Sequence, residues 1–276
     1  MSPRLEEFLF APANARSVAA LRIGLAAVAA FAFYPYDTGA LATLVQAPWL
    51  VHLYRDVIQT KTYWLLTMAA LAAFAAGLWS RPAGLLAALL LAPYVPIQGV
   101  MISRYLLWFA VTALSLLCSD RRWALRSLIG FPQRNDVGPT WPIRLIQLQL
   151  STLYLVNAIA KSSPGYLSGG ALAAMSTRLP NFLVQCADGL FTLAGISIPL
   201  GIAAAATVAI EYCLAIGFWF PRLRWPTAVL GAVFHAGLTR LITIAALDIA
   251  SVALYAAFLL PVRSPRARVA SNVASR

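Results

Sequence analysis

The stretch from Ile143 to Leu172, IRLIQLQLSTLYLVNAIAKSSPGYLSGGAL, constrains this chain more than any other. An apolar helix long enough to cross a bilayer carries a polar seam that ends in a lysine. Projected at about 100° per residue, Gln147, Ser151, Tyr154, Asn157 and Lys161 fall within roughly 60° of Tyr154, and the opposite side is Leu, Ile, Val and Ala. Lipid cannot hydrogen-bond such a seam, so it is expected to face other helices or a wet cavity, with Lys161 at the open end. The following SSPGYLSGG stops the helix at Pro164 and Gly165 and permits a sharp turn at Gly169 and Gly170. Two readings of Lys161 stand side by side: a cation that snorkels to the interface, and a functional group acting as base or anion ligand.

The rest of the composition agrees with a membrane setting. Hydrophobic residues make up 61% of the chain and charged residues 11%, and the mean hydropathy is +0.77. A soluble domain of this length could not cover that much apolar surface. A net charge of +12 would point to nucleic acid in a soluble protein. Here the basic residues lie mostly in short connections between apolar runs and near Arg276, where they read as topology signals and contacts to anionic lipids, and no nucleic-acid partner is expected. The first apolar run is long and lacks a small-residue cleavage site, so it is expected to stay as a helix.

The fold class is all-α: a polytopic integral membrane bundle of about eight transmembrane helices. Residues 1–16 form an amphipathic interfacial lead, 17–262 a single transmembrane domain and 263–276 a basic cytoplasmic tail. The spans are placed at about 17–36, 62–79, 82–97, 101–118, 143–161, 198–220, 227–241 and 243–260. Arg22 is expected to reach the near interface. Asp37 to Lys61, with Trp49, His52, Tyr54 and Arg55, reads as an interfacial helix, and Leu172 to Ser197, broken by Pro180, Asp188 and Gly195, as loop and surface helix. With both termini cytoplasmic, the inner connections hold Arg81, the arginines from Arg121 to Arg144, Arg222 and Arg224, and the tail, which follows the positive-inside pattern of a bacterial inner-membrane protein.

That topology gathers Lys161, Arg104, Arg240 and Asp248 in the outer half, with Glu211 and His235 nearer the midplane. Each intramembrane charge costs several kcal/mol unless paired. The simplest pairing is Lys161 with Glu211, with His235 or Asp248 as further partners, and loss of Glu211 is expected to strand the lysine cation. Tyr154, Asn157, Tyr166, Arg104, Arg240 and Asp248 are candidate ligand-binding residues around Lys161, Glu211 and His235. Cys118, Cys186 and Cys213 have no CxxC spacing, and 2 histidines far apart give no metal site. No phosphate loop, dinucleotide fingerprint or serine elbow is present.

The run from Arg144 to Leu172 is similar to the signature of the HTTM (horizontally transferred transmembrane) domain, related to the membrane half of vitamin K-dependent gamma-carboxylase. In that family an arginine-leucine start and a glutamine-rich helix lead to a tyrosine, a lysine, an aromatic residue and a glycine. Arg144, Gln147, Gln149, Tyr154, Lys161, Tyr166 and Gly169 match that order, with Tyr166 where a tryptophan is usual. Glu211 in IEYCLAIGFWFPRLRW and His235 in VFHAGL resemble the family's later glutamate- and histidine-bearing helices. The resemblance is expected to cover about residues 12 to 262.

In the carboxylase the matching lysine is associated with deprotonating a reduced quinone. The resemblance therefore implies a quinone-like cofactor or ligand, with Lys161 as base and Glu211 and His235 tuning or relaying the proton. No extracytoplasmic domain is expected to follow the last span, so protein carboxylation is not expected. Two functions remain open at this point. One is lysine-base chemistry on a membrane-soluble substrate in an outward-facing cavity. The other is a non-enzymatic transport, export or maturation partner whose buried Lys, Glu and His are structural or form a proton path.

Overall fold

Local signals start and stop the helices where the apolar runs lie. Asn14 Oδ1 accepts the backbone N–H groups of Arg16 at 3.0 Å and Ser17 at 3.3 Å, which caps a helix that sequence alone begins only at Ser17. Thr60 Oγ1 accepts from Tyr63 N at 3.2 Å to open the next one. That helix ends at Gly77 in the left-handed region, φ 71°, with Gly77 N donating to Phe74 O and Leu78 N to Ala73 O, both at 3.0 Å. This paired closure favours glycine, since a Cβ there would also run into Ala124.

The computed structural model describes residues 2–33, 57, 60–94, 102–130, 136–176, 184–187, 190–193, 196–241 and 245–260. Of the sequence expectations, the interfacial helix over Asp37 to Lys61 and the tail from 263 lie largely or wholly outside them. The chain divides into two compact units, the first of residues 1–147 and 260–276 and the second of 148–259.

The first unit holds α1 (Pro3–Phe10), β1 (Pro12–Asn14), α2 (Ala15–Ala32), α3 (Lys61–Ala76), α4 (Ser80–Leu91), α5 (Ile102–Ser115), β2 (Asp136–Pro139) and the start of α6 (Trp141–Lys161). Strands β1 and β2 pair antiparallel, Pro12 opposite Pro139. Helix α4 ends at Leu91 and Pro93 falls in a 3-10 turn over Ala92–Tyr94, while residues 95–97 of the expected span lie outside the described residues. Tyr63 Oη donates to Leu90 O at 2.8 Å and Trp108 Nε1 to Ala88 O at 2.9 Å, tying α3, α4 and α5 together.

Arg22 departs from its expected place. It does not reach the interface but is fully buried, donating Nε to Ala75 O at 3.2 Å, one guanidinium nitrogen to Ser119 O and the other to Trp123 O at 2.5 Å. The end of α3 and the turns after α5 leave carbonyls without intrahelical donors, and one guanidinium fork serves several of them.

The second unit holds the rest of α6, α7 (Pro164–Leu167), α8 (Gly170–Ser176), β3 (Val184–Ala187), β4 (Leu190–Leu193), β5 (Ile196–Pro199), α9 (Leu200–Gly217), α10 (Arg224–Leu241), α11 (Ala245–Leu254) and α12 (Ala256–Leu259). The sheet corrects the expectation of loop and surface helix over Leu172 to Ser197. The three strands form an antiparallel meander, with Ala187 opposite Leu190 and Leu193 opposite Ile196. Asp188-Gly189 and Ala194-Gly195 stand between the strands, and an Asp-Gly pair between apolar runs is a hairpin signal. Leu172, Leu200, Ala203 and Ala204 make a small core on which Tyr166, Phe191 and Ile198 pack.

The protein is mostly helical. Among the described residues three helices are long and apolar enough to cross a membrane by length and composition, Ala15–Ala32, Trp141–Lys161 and Leu200–Gly217, with shorter apolar helices at Lys61–Ala76 and Ile249–Leu259.

Candidate functional site

Four residues of the polar seam of α6, Gln147, Ser151, Tyr154 and Lys161, meet polar partners. At its start, Arg144 donates to Gln147 Oε1 at 2.8 Å within the first unit. In the second unit, Ser151 Oγ accepts from Trp219 Nε1 at 2.9 Å. One turn on, the buried Tyr154 hydroxyl lies 2.7 Å from His235 Nε2 and 2.7 Å from Tyr255 Oη. A phenol carries one donor and two acceptor lone pairs, so a single oxygen joins α6, α10 and α12's predecessor turn without leaving a polar atom in lipid.

At the seam's end Lys161 Nζ donates to Glu211 Oε1 at 2.6 Å. This is the pairing expected from the sequence. Its burial is lopsided: the lysine side chain is 29% exposed and the glutamate 3%. The second carboxylate oxygen, Glu211 Oε2, is buried and meets no hydrogen-bond donor among the described residues. Lys161 has further N–H donors beyond the one given to Glu211. The pair therefore presents unused donor and acceptor capacity side by side.

Tyr166 lies beside the pair, with Lys161 Nζ 5.8 Å from its ring centroid. Burial chiefly, and then the charge of Glu211, push its phenol above the ordinary tyrosine value, while the Thr207 hydroxyl acts the other way. Thr207 sits one turn before Glu211 on α9. It also lines an apolar cavity of about 220 Å³ with Leu172, Phe191, Ile198, Val233 and Phe234. Two of its lining residues, Thr207 and Ile210, are on α9 shortly before Glu211, while Glu211 and Lys161 themselves are not part of the lining.

The other sequence candidates divide. Asn157 is half-buried on the seam, one turn before Lys161. Arg104 lies in the first unit, buried, with its guanidinium carbon 5.3 Å from the Phe33 ring centroid. Arg240 and Asp248 fall in α10 and α11 at positions whose side chains lie outside the described residues. Among the described residues no group of three His, Cys, Asp or Glu is placed to hold a metal.

Sequence reasoning missed Tyr255, Gly231, Trp219 and Thr207. Tyr255 offered a signal, a hydroxyl in the apolar run SVALYAAFLL. Gly231 did not: its role is to leave room, because a Cβ there would collide with Tyr255 Oη and lie 2.8 Å from Leu214 Cδ2.

The model of one family, the HTTM domain, matches residues 98–261, more than half of the chain. The chain belongs to the HTTM family. The match begins well after the expected residue 12, yet it takes in the whole of α6 and every member of the Lys161, Glu211, Tyr154 and His235 cluster. Membership in the HTTM family agrees with the apolar helices in making this a membrane protein. No curated protein and no solved structure matches the chain.

Proposed function

We propose that this HTTM protein binds a lipid-soluble small molecule whose polar head engages the Lys161–Glu211 pair and whose apolar part lies in the adjoining cavity. The observation that carries this reading is the idle Glu211 Oε2, buried beside a lysine with donors to spare. A buried unmade hydrogen bond costs about 1–3 kcal/mol. A ligand hydroxyl donating to Oε2, with its oxygen held by Lys161, would recover that cost. The cavity lining supplies an apolar surface for the remainder of the molecule.

A quinol is the head group that the family resemblance implies, and it has the required O–H. The base is then the pair acting as a unit: Glu211 Oε2 takes the proton, and Lys161 holds the resulting oxyanion. Lys161 serves as base through Glu211, because an ammonium already bonded to a carboxylate has no lone pair of its own to offer. His235, bonded to Tyr154 of the same α6 seam that ends in Lys161, suits a proton relay. The setting of this reading is a bundle of about eight spans in a bacterial inner membrane, with both termini cytoplasmic and the cavity on the outer side.

Thermal unfolding in detergent tests the reading. A short-chain quinol should raise the midpoint, and an alkane of matched length should not. Equal effects of the two, or none from the quinol, would overturn it.

A further inference from the structure

Gly237 stands inside α10 with no packing reason to be a glycine. A Cβ built there meets nothing within 4 Å, whereas at Gly231 on the same helix it collides with Tyr255, and at Gly217 on α9 with Thr227. Its backbone is helical, so no left-handed φ calls for the residue either. Glycine inside a helix is destabilising relative to alanine. What the position provides is the space above it.

That space is the apolar cavity of the second unit. Gly237 lines it together with Leu238 of the same helix, Ala203 and Ala206 of α9, and Phe191 and Ile198 of the sheet. Three of these are glycine or alanine, so the room comes from small side chains on α9 and α10 and not from a loose fit of large ones. Phe191 and Ile198 are a cross-strand pair on β4 and β5. An open sheet keeps edge N–H and C=O groups that lipid cannot satisfy, so this wall belongs at the membrane surface or inside protein, and not among acyl chains. A hydrocarbon in the cavity is therefore a guest and not a stretch of the bilayer.

Volume then limits the guest. A dry apolar cavity of about 150 Å³ takes one benzene molecule, and the same packing puts about nine carbon atoms into this one; its volume is about 220 Å³. The two long tails of a phospholipid do not fit. We propose that Gly237 sets an upper size limit on the apolar part of the ligand, a single chain or ring system of about nine carbon atoms. This rests on the small-molecule reading above and adds to it the class of molecule, single-tailed and short. Each carbon added to the side chain at 237 takes one from the guest.

Photolabelling of the full chain in detergent tests the limit, with a diazirine-bearing octanol as probe and 1-alkanols from butanol to hexadecanol as competitors. In wild type the label should be saturable and fall on Phe191, Phe234 or Leu238, and competition should strengthen up to about nine carbons and then stop improving. Gly237→Leu should lower labelling about tenfold and move the limit to about five carbons, and Gly237→Ala, which the helix accommodates, should move it by about one. A limit unmoved in both variants, competition that keeps rising to hexadecanol, or label spread along the outer faces of the helices would overturn the proposal. Glu211→Gln separates it from the head-group reading. Weaker competition at an unmoved limit supports both, and unchanged competition sinks the head-group reading while the size limit stands.

Discussion

Lys161 and Glu211 share a hydrogen bond of 2.6 Å, and only the glutamate is buried by its surroundings, 3% exposed against 29% for the lysine. This asymmetry reverses the expectation that losing Glu211 is the damaging change. A lysine stranded at the end of α6 keeps a route to polar surroundings, whereas a stranded Glu211 carboxylate has none. Lys161→Met should therefore cost about 3–5 kcal/mol and Glu211→Gln about 1–2 kcal/mol. Unfolding midpoints in one detergent give the order, and the double variant should recover most of the Lys161→Met loss. The opposite order would mean that the lysine is the trapped charge.

Gly231 and Gly237 lie six residues apart on α10 and predict opposite outcomes. Alanine at 231 meets Tyr255 Oη and Leu214, while at 237 it meets nothing within 4 Å. Gly231→Ala should destabilise by about 1–3 kcal/mol through overpacking and should displace Tyr255 from the Tyr154 hydroxyl. Gly237→Ala should be neutral or gain up to about 1 kcal/mol from helix propensity. Ring-nitrogen NMR reports the first effect directly, because the chain has 2 histidines and His235 is the one bonded to Tyr154.

Arg22 predicts a failure that lysine does not rescue. Its fork meets carbonyls of Ala75, Ser119 and Trp123, which a single ammonium cannot span. Arg22→Lys and Arg22→Met should both lower the yield of folded protein and expose the α3–α4 turn to protease. A folded Arg22→Met of wild-type stability would contradict that account of the first unit.

Topology follows from the same contacts. The α1–β1 lead pairs with β2, and Arg22 joins the end of α3 to residues 119–123, so these connections belong to the first unit's ordered contacts. Cysteines replacing Glu6, Leu78 and Leu128 in a cysteine-free background should react with an impermeant reagent from one face of the membrane, expected to be cytoplasmic. Labelling of Leu78 and Leu128 from opposite faces would refute the account that Arg22 joins the end of α3 to the segment after α5.

Much of this was legible in the chain. The seam of α6 could be read because a 3.6-residue period places Tyr154 and Lys161 on one face whatever surrounds them. The Lys161–Glu211 pair could be read because lone charges in apolar helices demand partners. Tyr255 and Trp219 were not legible as partners, since which helix supplies a hydroxyl depends on tertiary placement. Arg22 misled for a related reason: a cation near a helix start reads as snorkelling until the carbonyls it serves, from Ala75 to Trp123, are known. The sheet from Val184 to Pro199 is hard to read in the sequence although Asp188-Gly189 is a hairpin signal, because Pro180, Asp188 and Gly195 break a helix as readily as they turn a strand.

The central claim is that Glu211 Oε2 awaits a ligand rather than merely completing a structural pair. Native mass spectrometry of wild type and Glu211→Gln, purified alike from the same membranes, tests it most directly. The account predicts that wild type carries a lipid-soluble small molecule other than phospholipid. The variant should lose that molecule while its unfolding midpoint, measured with both proteins stripped of ligand, stays within about 4–8 °C of wild type. The same molecule on both proteins, or none on either, would contradict it.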